Sequence, residues 1–194
     1  MCIKVEAQTS TFSHADSLLN AGRYQLALKN LKQIDTLQEV SNFKIGNIYT
    51  SIDDYKNAIK YYQKSLLFKE STIVKISLAK AFYKTRQYKK AIHIYKQLLD
   101  VDSNNLLITY QLGKLYYAIN DLKNATITFK KLTNKDPKNP NYYYQLGLIE
   151  IRRSNGNGML DNFLKAYKSD STHIKSVYQL AKTFAQIRKR DSSR

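Results

Sequence analysis

The stretch that decides the fold runs from Leu106 to Asn139 and reads LLITYQLGKLYYAINDLKNATITFKKLTNKDPKN. Its tripeptide Tyr-Gln-Leu, followed by a small residue, returns twice, each time about 34 residues further along the chain. The copies begin at Tyr110, Tyr144 and Tyr178. A fixed interval of this kind is typical of repeat proteins, in which each unit packs on its neighbours. The sequence therefore predicts an array of similar units.

Two helices are predicted within the quoted unit. Leu112, Gly113 and Tyr116 are spaced to share one face of the first helix. Apolar residues of the second helix also recur at spacings of three and four, and they are Leu122, Ala125, Phe129 and Leu132. Because Gly113 and Ala125 are small, we expect them to let the two helix backbones approach closely.

Polar residues between these helices predict the turn. Asn120 and Asp121 have short side chains that can accept hydrogen bonds from the free amides at the start of the next helix. Pro137 ends the second helix, because it lacks an N–H and its ring clashes with the preceding turn. The unit is therefore a helix, a turn and a helix.

This unit resembles a tetratricopeptide repeat (TPR). The family pattern has Leu, then Gly or Ala, then an aromatic residue on the first helix (helix A), and Ala, an aromatic residue, Ala and Pro along the second (helix B). Those positions here hold Leu112, Gly113, Tyr116, Ala125, Phe129, Leu132 and Pro137. Leu132 departs from the pattern, since the family prefers Ala there. The resemblance implies an all-α, right-handed superhelical solenoid of antiparallel helix pairs, with helix A lining a concave groove.

The period predicts one TPR domain over residues 8–190, with about eleven helices. Five repeats are expected at residues 8–38, 39–71, 72–105, 106–139 and 140–173, followed by a final helix at 174–190. The polar beginning of the first repeat suits an end cap, whose outer face has no neighbour to cover it. Residues 1–7 and 191–194 are predicted to be tails.

Two local departures are expected near the end of the chain. Gly156 and Gly158 replace residues of the family pattern, and each glycine in a helix costs about 1 kcal/mol relative to alanine. We therefore expect a longer loop there, with helix B starting near Met159. The final helix is expected to bury Leu180, Ala181 and Phe184, and to leave parts of Val177, Phe184 and Ile187 uncovered, because no second helix follows it.

The positive charge allows two interpretations. A net charge of +17 favours attraction to nucleic acid, anionic membranes or acidic peptides. The alternative is that the positive charge reflects compositional bias and not a binding function, because the abundant Lys, Asn, Ile and Tyr share AT-rich codons.

Residue patterns for catalysis or metal binding are lacking in the sequence. His14, His93 and His173 occur at unrelated positions of three repeats, and each is expected to be structural or exposed. Cys2 is the only cysteine, so no internal disulfide can form. We therefore predict no catalytic residues, no metal site and no cofactor, and a protein that is not an enzyme.

The first residues bear on the compartment. Residues 1–7 lack the apolar core of a signal peptide, and no stretch of the chain approaches a membrane span. The sequence is therefore expected to be that of a cytoplasmic protein. The alternative is an exported or periplasmic protein, if Val5-Glu6-Ala7 ends a longer export signal.

The TPR resemblance also predicts where a partner binds. The inward positions of helix A place aromatic rings beside ammonium groups, which suits an acidic, partly apolar peptide. The expected partner-binding residues are Phe43, Asn47, Ile76, Lys80, Tyr83, Tyr110, Lys114, Tyr117, Tyr144, Tyr178 and Lys182. The alternative is that several of these tyrosines pack between adjacent helices.

The carboxylate clamp of some TPR proteins, which binds the C-terminal tails of heat-shock chaperones, is not expected. It needs Lys and Asn on one helix A, Asn on the next, and Lys and Arg on a third. The corresponding residues are Phe43, Asn47, Ser77, Leu107 and Gln111 in one frame, and Tyr110, Lys114, Gln145, Lys175 and Gln179 in the other.

The predicted function is a non-enzymatic scaffold that holds a peptide or partner protein in its groove. One alternative is a nucleic-acid-binding helical repeat, favoured by lysine charge and by tyrosine rings that could stack on bases. Another is an oligomerising fragment of a longer TPR protein, which includes a homodimer through the C-terminal helix.

Overall fold

The computed structural model describes residues 12–34 and 38–191, and their side chains as far as residue 185. These residues form eleven α-helices and no strand. The helices are α1 (12–20), α2 (Tyr24–Lys32), α3 (Gln38–Ser51), α4 (Tyr55–Phe68), α5 (Thr72–Lys84), α6 (Tyr88–Val101), α7 (Leu106–Ala118), α8 (Leu122–Lys135), α9 (Pro140–Arg152), α10 (Gly156–Ser169) and α11 (Ile174–Asp191). The predicted all-α array of five helix pairs and a terminal helix is confirmed.

The described residues group into two compact units, which divide within α6 between Ile94 and Tyr95. In the first unit, α3 packs on α4, and α4 packs on α5. In the second, each helix from α7 to α11 packs on the next, and α9 also contacts α7 and α11. The helix A series is α1, α3 and α5 in the first unit, and α7, α9 and α11 in the second.

One residue with positive φ lies in the turn of each helix pair. These residues are Gly22, Asp53, Arg86, Asn120 and Ser154. In three turns the next residue caps helix B, because its side-chain oxygen accepts a hydrogen bond of 3.1 Å from the amide three residues on. The capping residues are Asp54, Asp121 and Asn155. The turn predicted at Asn120 and Asp121 is confirmed.

The longer loop predicted after Ser154 is wrong, because α10 begins at Gly156, directly after Asn155. The glycine penalty applies to helix interiors, whereas Gly156 and Gly158 lie in the first turn. A Cβ added at Gly158 would come within 2.5 Å of the side-chain nitrogen of Asn155. A larger residue at Gly158 would therefore clash with the capping side chain of Asn155. Both glycines lie in the first turn of α10 and do not lengthen the loop.

An aromatic ring from helix B lies against a glycine of helix A in three pairs. The pairs are Gly46 with Tyr62, Gly113 with Phe129, and Gly147 with Phe163. A Cβ added at any of these glycines would come within 2.8 Å of the ring, and each ring is at most 2% exposed. The small size of Gly113 therefore leaves room for the Phe129 ring from helix B.

The burial predicted for α11 is only partly right. Leu180 is 7% exposed, but Ala181 is exposed and Phe184 is 51% exposed. Ser176 is fully buried one turn before Leu180, so the buried face passes through these two residues and turns Ala181 and Phe184 away. Val177 is 40% exposed, as expected, and the side chain of Ile187 lies outside the described residues.

The helices were also compared with the length and polarity that a membrane span requires. Among the described residues, no helix is both long enough and apolar enough to cross a bilayer.

Candidate functional site

The helix A residues predicted for the first unit are on α3 and α5. The Phe43 ring is half-buried, with its centroid 5.9 Å from that of Tyr62. The amide oxygen of Asn47 accepts a hydrogen bond of 2.9 Å from the Tyr62 hydroxyl. Part of the hydrogen-bonding capacity of Asn47 is therefore used within its own helix pair.

The contact between Tyr62 and Asn47 was not predicted. Its ring crosses α3 at Gly46, and its hydroxyl lies 2.9 Å from both the Asn47 amide oxygen and the Thr50 hydroxyl. Burial raises the pKa of Tyr62, so the phenol stays protonated near neutral pH. A residue of helix B thus contributes a polar group beside Asn47.

On α5, three predicted residues differ in exposure. Ile76 is half-buried, and Lys80, about one turn later, is exposed. Tyr83 is half-buried, and its ring centroid is 5.7 Å from that of Tyr88 at the start of α6. This face of α5 therefore offers an apolar side chain followed by an exposed ammonium group.

In the second unit, Tyr110 on α7 both packs and remains partly exposed. Its ring centroid lies 5.8 Å from those of Phe129 and Tyr142, and its hydroxyl accepts a hydrogen bond of 3.2 Å from the Gln145 side chain. Burial raises the pKa of Tyr110. The Lys114 ammonium lies 5.9 Å from the centroid of the same ring. The structure thus brings together the aromatic ring and the ammonium group predicted here.

Tyr144 occupies the equivalent position on α9. Its ring centroid is 5.7 Å from Phe163 and 5.7 Å from the edge-on ring of His173. The His173 ring nitrogens lie 2.6 Å from the Ser176 hydroxyl and 3.3 Å from the Asn141 amide oxygen. Burial lowers the pKa of His173, which favours the neutral ring that joins α9 to α11. This supports the prediction of a structural role for His173, whereas His14 and His93 are exposed.

The ring of Tyr117, at the end of α7, is in contact with the guanidinium group of Arg152. The Arg152 guanidinium lies 3.7 Å from the Tyr117 ring centroid and donates a 2.6 Å hydrogen bond to the Tyr117 carbonyl oxygen. The same group lies 3.4 Å from the side-chain oxygen of Asn120. Arg152 therefore covers a face of the ring that had been predicted to face a partner.

The last two predicted residues are on α11. Tyr178 is 64% exposed, and Lys182, one turn later, is exposed. Tyr110 and Tyr144 are only half-buried, although both pack on helix B. The tyrosines of this series thus stabilise helix contacts and also leave ring surface accessible to a ligand.

In residues 12–34 and 38–185, no three His, Cys, Asp or Glu side chains come close enough to hold a metal ion. The chemistry that the helix A residues offer is aromatic contact, ammonium charge and amide hydrogen bonding. These interactions suit binding of a peptide.

Two tetratricopeptide repeat family models match this sequence. One matches residues 39–72 and the other residues 82–147, which together are about half of the chain. Comparison with proteins of curated function gave no match.

Several solved structures have a similar fold. YrrB, a TPR protein with an unusual peptide-binding site, is 20% identical, with a TM-score of 0.72 over 87% of this chain and 89% of that protein. Residues 41 to the end of MamA from Desulfovibrio magneticus RS-1 are 18% identical, with a TM-score of 0.76 over 85% of this chain and 96% of that one. The C-terminal part of a TPR protein from Cytophaga hutchinsonii is 18% identical, with a TM-score of 0.72 over 89% of this chain and 69% of that one.

At these identities, likeness to solved structures shows the fold alone. The family models match the sequence itself, and the matched residues include parts of both units. The chain therefore belongs to the tetratricopeptide repeat family.

Proposed function

We propose that this protein is a non-enzymatic scaffold that binds a peptide or an extended segment of a partner protein on helix A. The observation that carries the proposal is the Lys114 ammonium, 5.9 Å from a half-buried Tyr110 ring. The same order of residues recurs at Tyr178 and Lys182, both of which are exposed. An apolar group of a partner could contact such a ring while its carboxylate meets the neighbouring ammonium group.

The proposed contact residues fall into two sets, one in each unit. In the first unit they are Phe43, Asn47, Ile76, Lys80 and Tyr83. In the second they are Tyr110, Lys114, Tyr117, Tyr144, Tyr178 and Lys182. Because Arg152 lies over Tyr117, a ligand would meet the guanidinium there. A partner that fits both sets is acidic and partly apolar. We do not expect it to be held by the carboxylate clamp with which some TPR proteins bind chaperone tails.

The similarity to YrrB is consistent with this proposal, because YrrB is described as having a peptide-binding site. TPR proteins are in general scaffolds without catalysis, and we assign no catalytic role to any residue here. Binding of nucleic acid by the exposed lysines of helix B is the competing function, and the experiment below distinguishes the two.

The test is capture of partners from an extract of the native cells, using wild type and two variants. Tyr178→Ala with Lys182→Ala removes exposed helix A groups and leaves the packing of Tyr110 and Tyr144 in place. Lys56→Ala with Lys60→Ala is the matched control, because both lysines are exposed on α4, a helix B. Each variant is first shown to melt like wild type.

A specific protein that wild type and control capture, and that the helix A variant loses, is the expected result. Equal recovery of every protein by all three would contradict binding at helix A. Recovery of nucleic acid, falling steeply with salt at about one unit of log–log slope per phosphate contacted, would favour the competing function.

A further inference from the structure

A groove of about 560 Å³ lies within the second unit, where the ends of α8 and α10 meet the start of α9. Its volume is within the range of about 300–1,000 Å³ that is common for ligand sites. We call it the lysine groove, and its polar lining includes Asn134, Lys138, Tyr143, Lys165, Lys168 and Ser169. None of these is a proposed helix A contact, so the inference stands independently of the proposed function.

The charge of the lysine groove is positive and mostly unneutralised. Lys138, Lys165 and Lys168 are all exposed. The Lys165 ammonium pairs with the Asp161 carboxylate at 2.7 Å. In the described residues, no carboxylate lies within ion-pair distance of Lys138 or Lys168. Lys168 is in the last turn of α10, where the helix dipole also favours a cation, but Lys138 lies outside any helix.

The uncharged lining groups offer acceptors. The Ser169 hydroxyl donates its proton to the Lys165 carbonyl oxygen at 2.9 Å, so only its lone pairs remain for a ligand. Asn134 is exposed and carries a side-chain carbonyl oxygen that can accept in the same way. A ligand that matches this lining must bring negative charge for the lysines and N–H donors for Ser169 and Asn134.

We propose that the lysine groove binds an acidic peptide segment in an extended conformation. Its carboxylates pair with Lys138 and Lys168, and its backbone N–H groups donate to the Ser169 hydroxyl and the Asn134 side chain. A polyphosphate brings charge and can accept from the Asn134 NH2 group, but it has no donors at neutral pH, so it leaves the Ser169 hydroxyl oxygen without a partner. A single-stranded nucleic acid stacks successive bases on several aromatic rings, and Tyr143 is the one aromatic residue in this lining.

The probe is a fluorescein-labelled short peptide of alternating Glu and Gly, with binding followed by fluorescence anisotropy at physiological salt. Lys138→Gln with Lys168→Gln is expected to weaken binding about fivefold, as for two solvent-exposed ion pairs. Lys96→Gln with Lys123→Gln is the matched control, because it removes the same charge from exposed positions outside the lining. The control is expected to weaken binding less than about twofold.

Two further ligands test the chemistry of the groove. A peptide with N-methylglycine in place of Gly keeps its charge but loses donors, so wild type should bind it more weakly. Tripolyphosphate also depends on the groove lysines, so more of it should be needed to displace the Glu-Gly peptide from the groove variant than from the control.

Three outcomes would overturn the proposal. If both lysine variants weakened peptide binding equally, the peptide would be attracted by the net charge of the protein alone. Unchanged affinity for the N-methylated peptide would remove the acceptor role of Ser169 and Asn134. A single-stranded oligonucleotide that binds wild type and depends on Lys138 and Lys168 as strongly as the peptide does would make the groove a general anion site.

Discussion

Gly147 and Gly156 belong to the same helix pair but have different surroundings. A Cβ added at Gly147 would come within 2.4 Å of the Phe163 ring, whereas one added at Gly156 would meet no atom within 4 Å. We expect Gly147→Ala to lower the free energy of unfolding by about 1–3 kcal/mol, because the buried ring must move. Gly156→Ala should be neutral or stabilising by up to about 1 kcal/mol. Urea denaturation of the two variants measures both changes, and a silent Gly147→Ala would contradict the packing described here.

The cap at Asp121 predicts an acid dependence of stability. The side chain and the backbone N–H of Asn124 donate to its carboxylate and lower the pKa of Asp121 below its usual value of 3.8. Its contribution to folding is therefore present above that value and lost as the pH falls through the folded pKa. Asp121→Asn keeps a capping oxygen, so stability near neutral pH should change little.

Urea denaturation at a series of pH values measures this effect. Below about pH 4, Asp121→Asn should lose less stability than wild type loses. Asp54 and Asp170, whose pKa values are also lowered by hydrogen bonds, remain in both proteins and act as internal controls. Identical pH profiles would show that the charge of Asp121 contributes nothing.

Local chemistry explains which turn residues could be predicted. Asn120 and Asp121 were recognisable because each residue type has a preference for the position it occupies. Arg86 and Ser154 adopt the same left-handed conformation without that preference, so the repeat period alone indicated their turns. The prediction at Gly156 was wrong because the free-energy cost of a glycine depends on its position in the helix, and the sequence does not show that Gly156 is the first helical residue.

Side-chain contacts between helices could not be predicted from the period. Helical spacing placed Tyr110, Tyr117 and their equivalents on helix A. It gave no indication that Arg152 would lie over Tyr117, or that the Tyr62 hydroxyl would reach Asn47. These contacts depend on side-chain conformations and on the approach of two helices, neither of which is encoded in one helix's spacing.

Among the helices, α11 leaves the most apolar surface to explain. Val177, Tyr178 and Phe184 are 40%, 64% and 51% exposed, and apolar surface of this kind is typical of an interaction site. We expect a second copy of the chain to cover Val177 and Phe184, which gives dimerisation that depends on concentration. Light scattering coupled to size-exclusion chromatography measures the mass over a range of concentrations.

Phe184→Glu should keep the protein monomeric at every concentration, because a charge would have to be buried in the interface. Lys182→Glu is the control, since it adds an acidic group to the neighbouring exposed surface of α11 and should leave the dimer intact. A wild-type mass that stays monomeric at high concentration would rule out the dimer.

At the scale of the whole molecule, the net charge of +17 affects every binding experiment. Exposed lysines attract any polyanion, and salt screens that attraction over about 8 Å at physiological ionic strength. A specific helix A contact also includes apolar surface from Tyr110 and Tyr178, which salt does not screen. Binding that survives moderate salt therefore indicates contact with the rings as well as charge.

Binding on helix A is tested most directly by the ¹⁵N amide spectrum of the Lys138→Gln, Lys168→Gln variant, whose lysine groove is weakened, with a peptide selected from a random library at moderate salt. The amides that shift report which helices the peptide contacts. Binding on helix A predicts the largest shifts there, in α7, α9 and α11 or in α3 and α5, and little change on α4, α8 and α10. Shifts concentrated on helix B, with helix A unaffected, would contradict it.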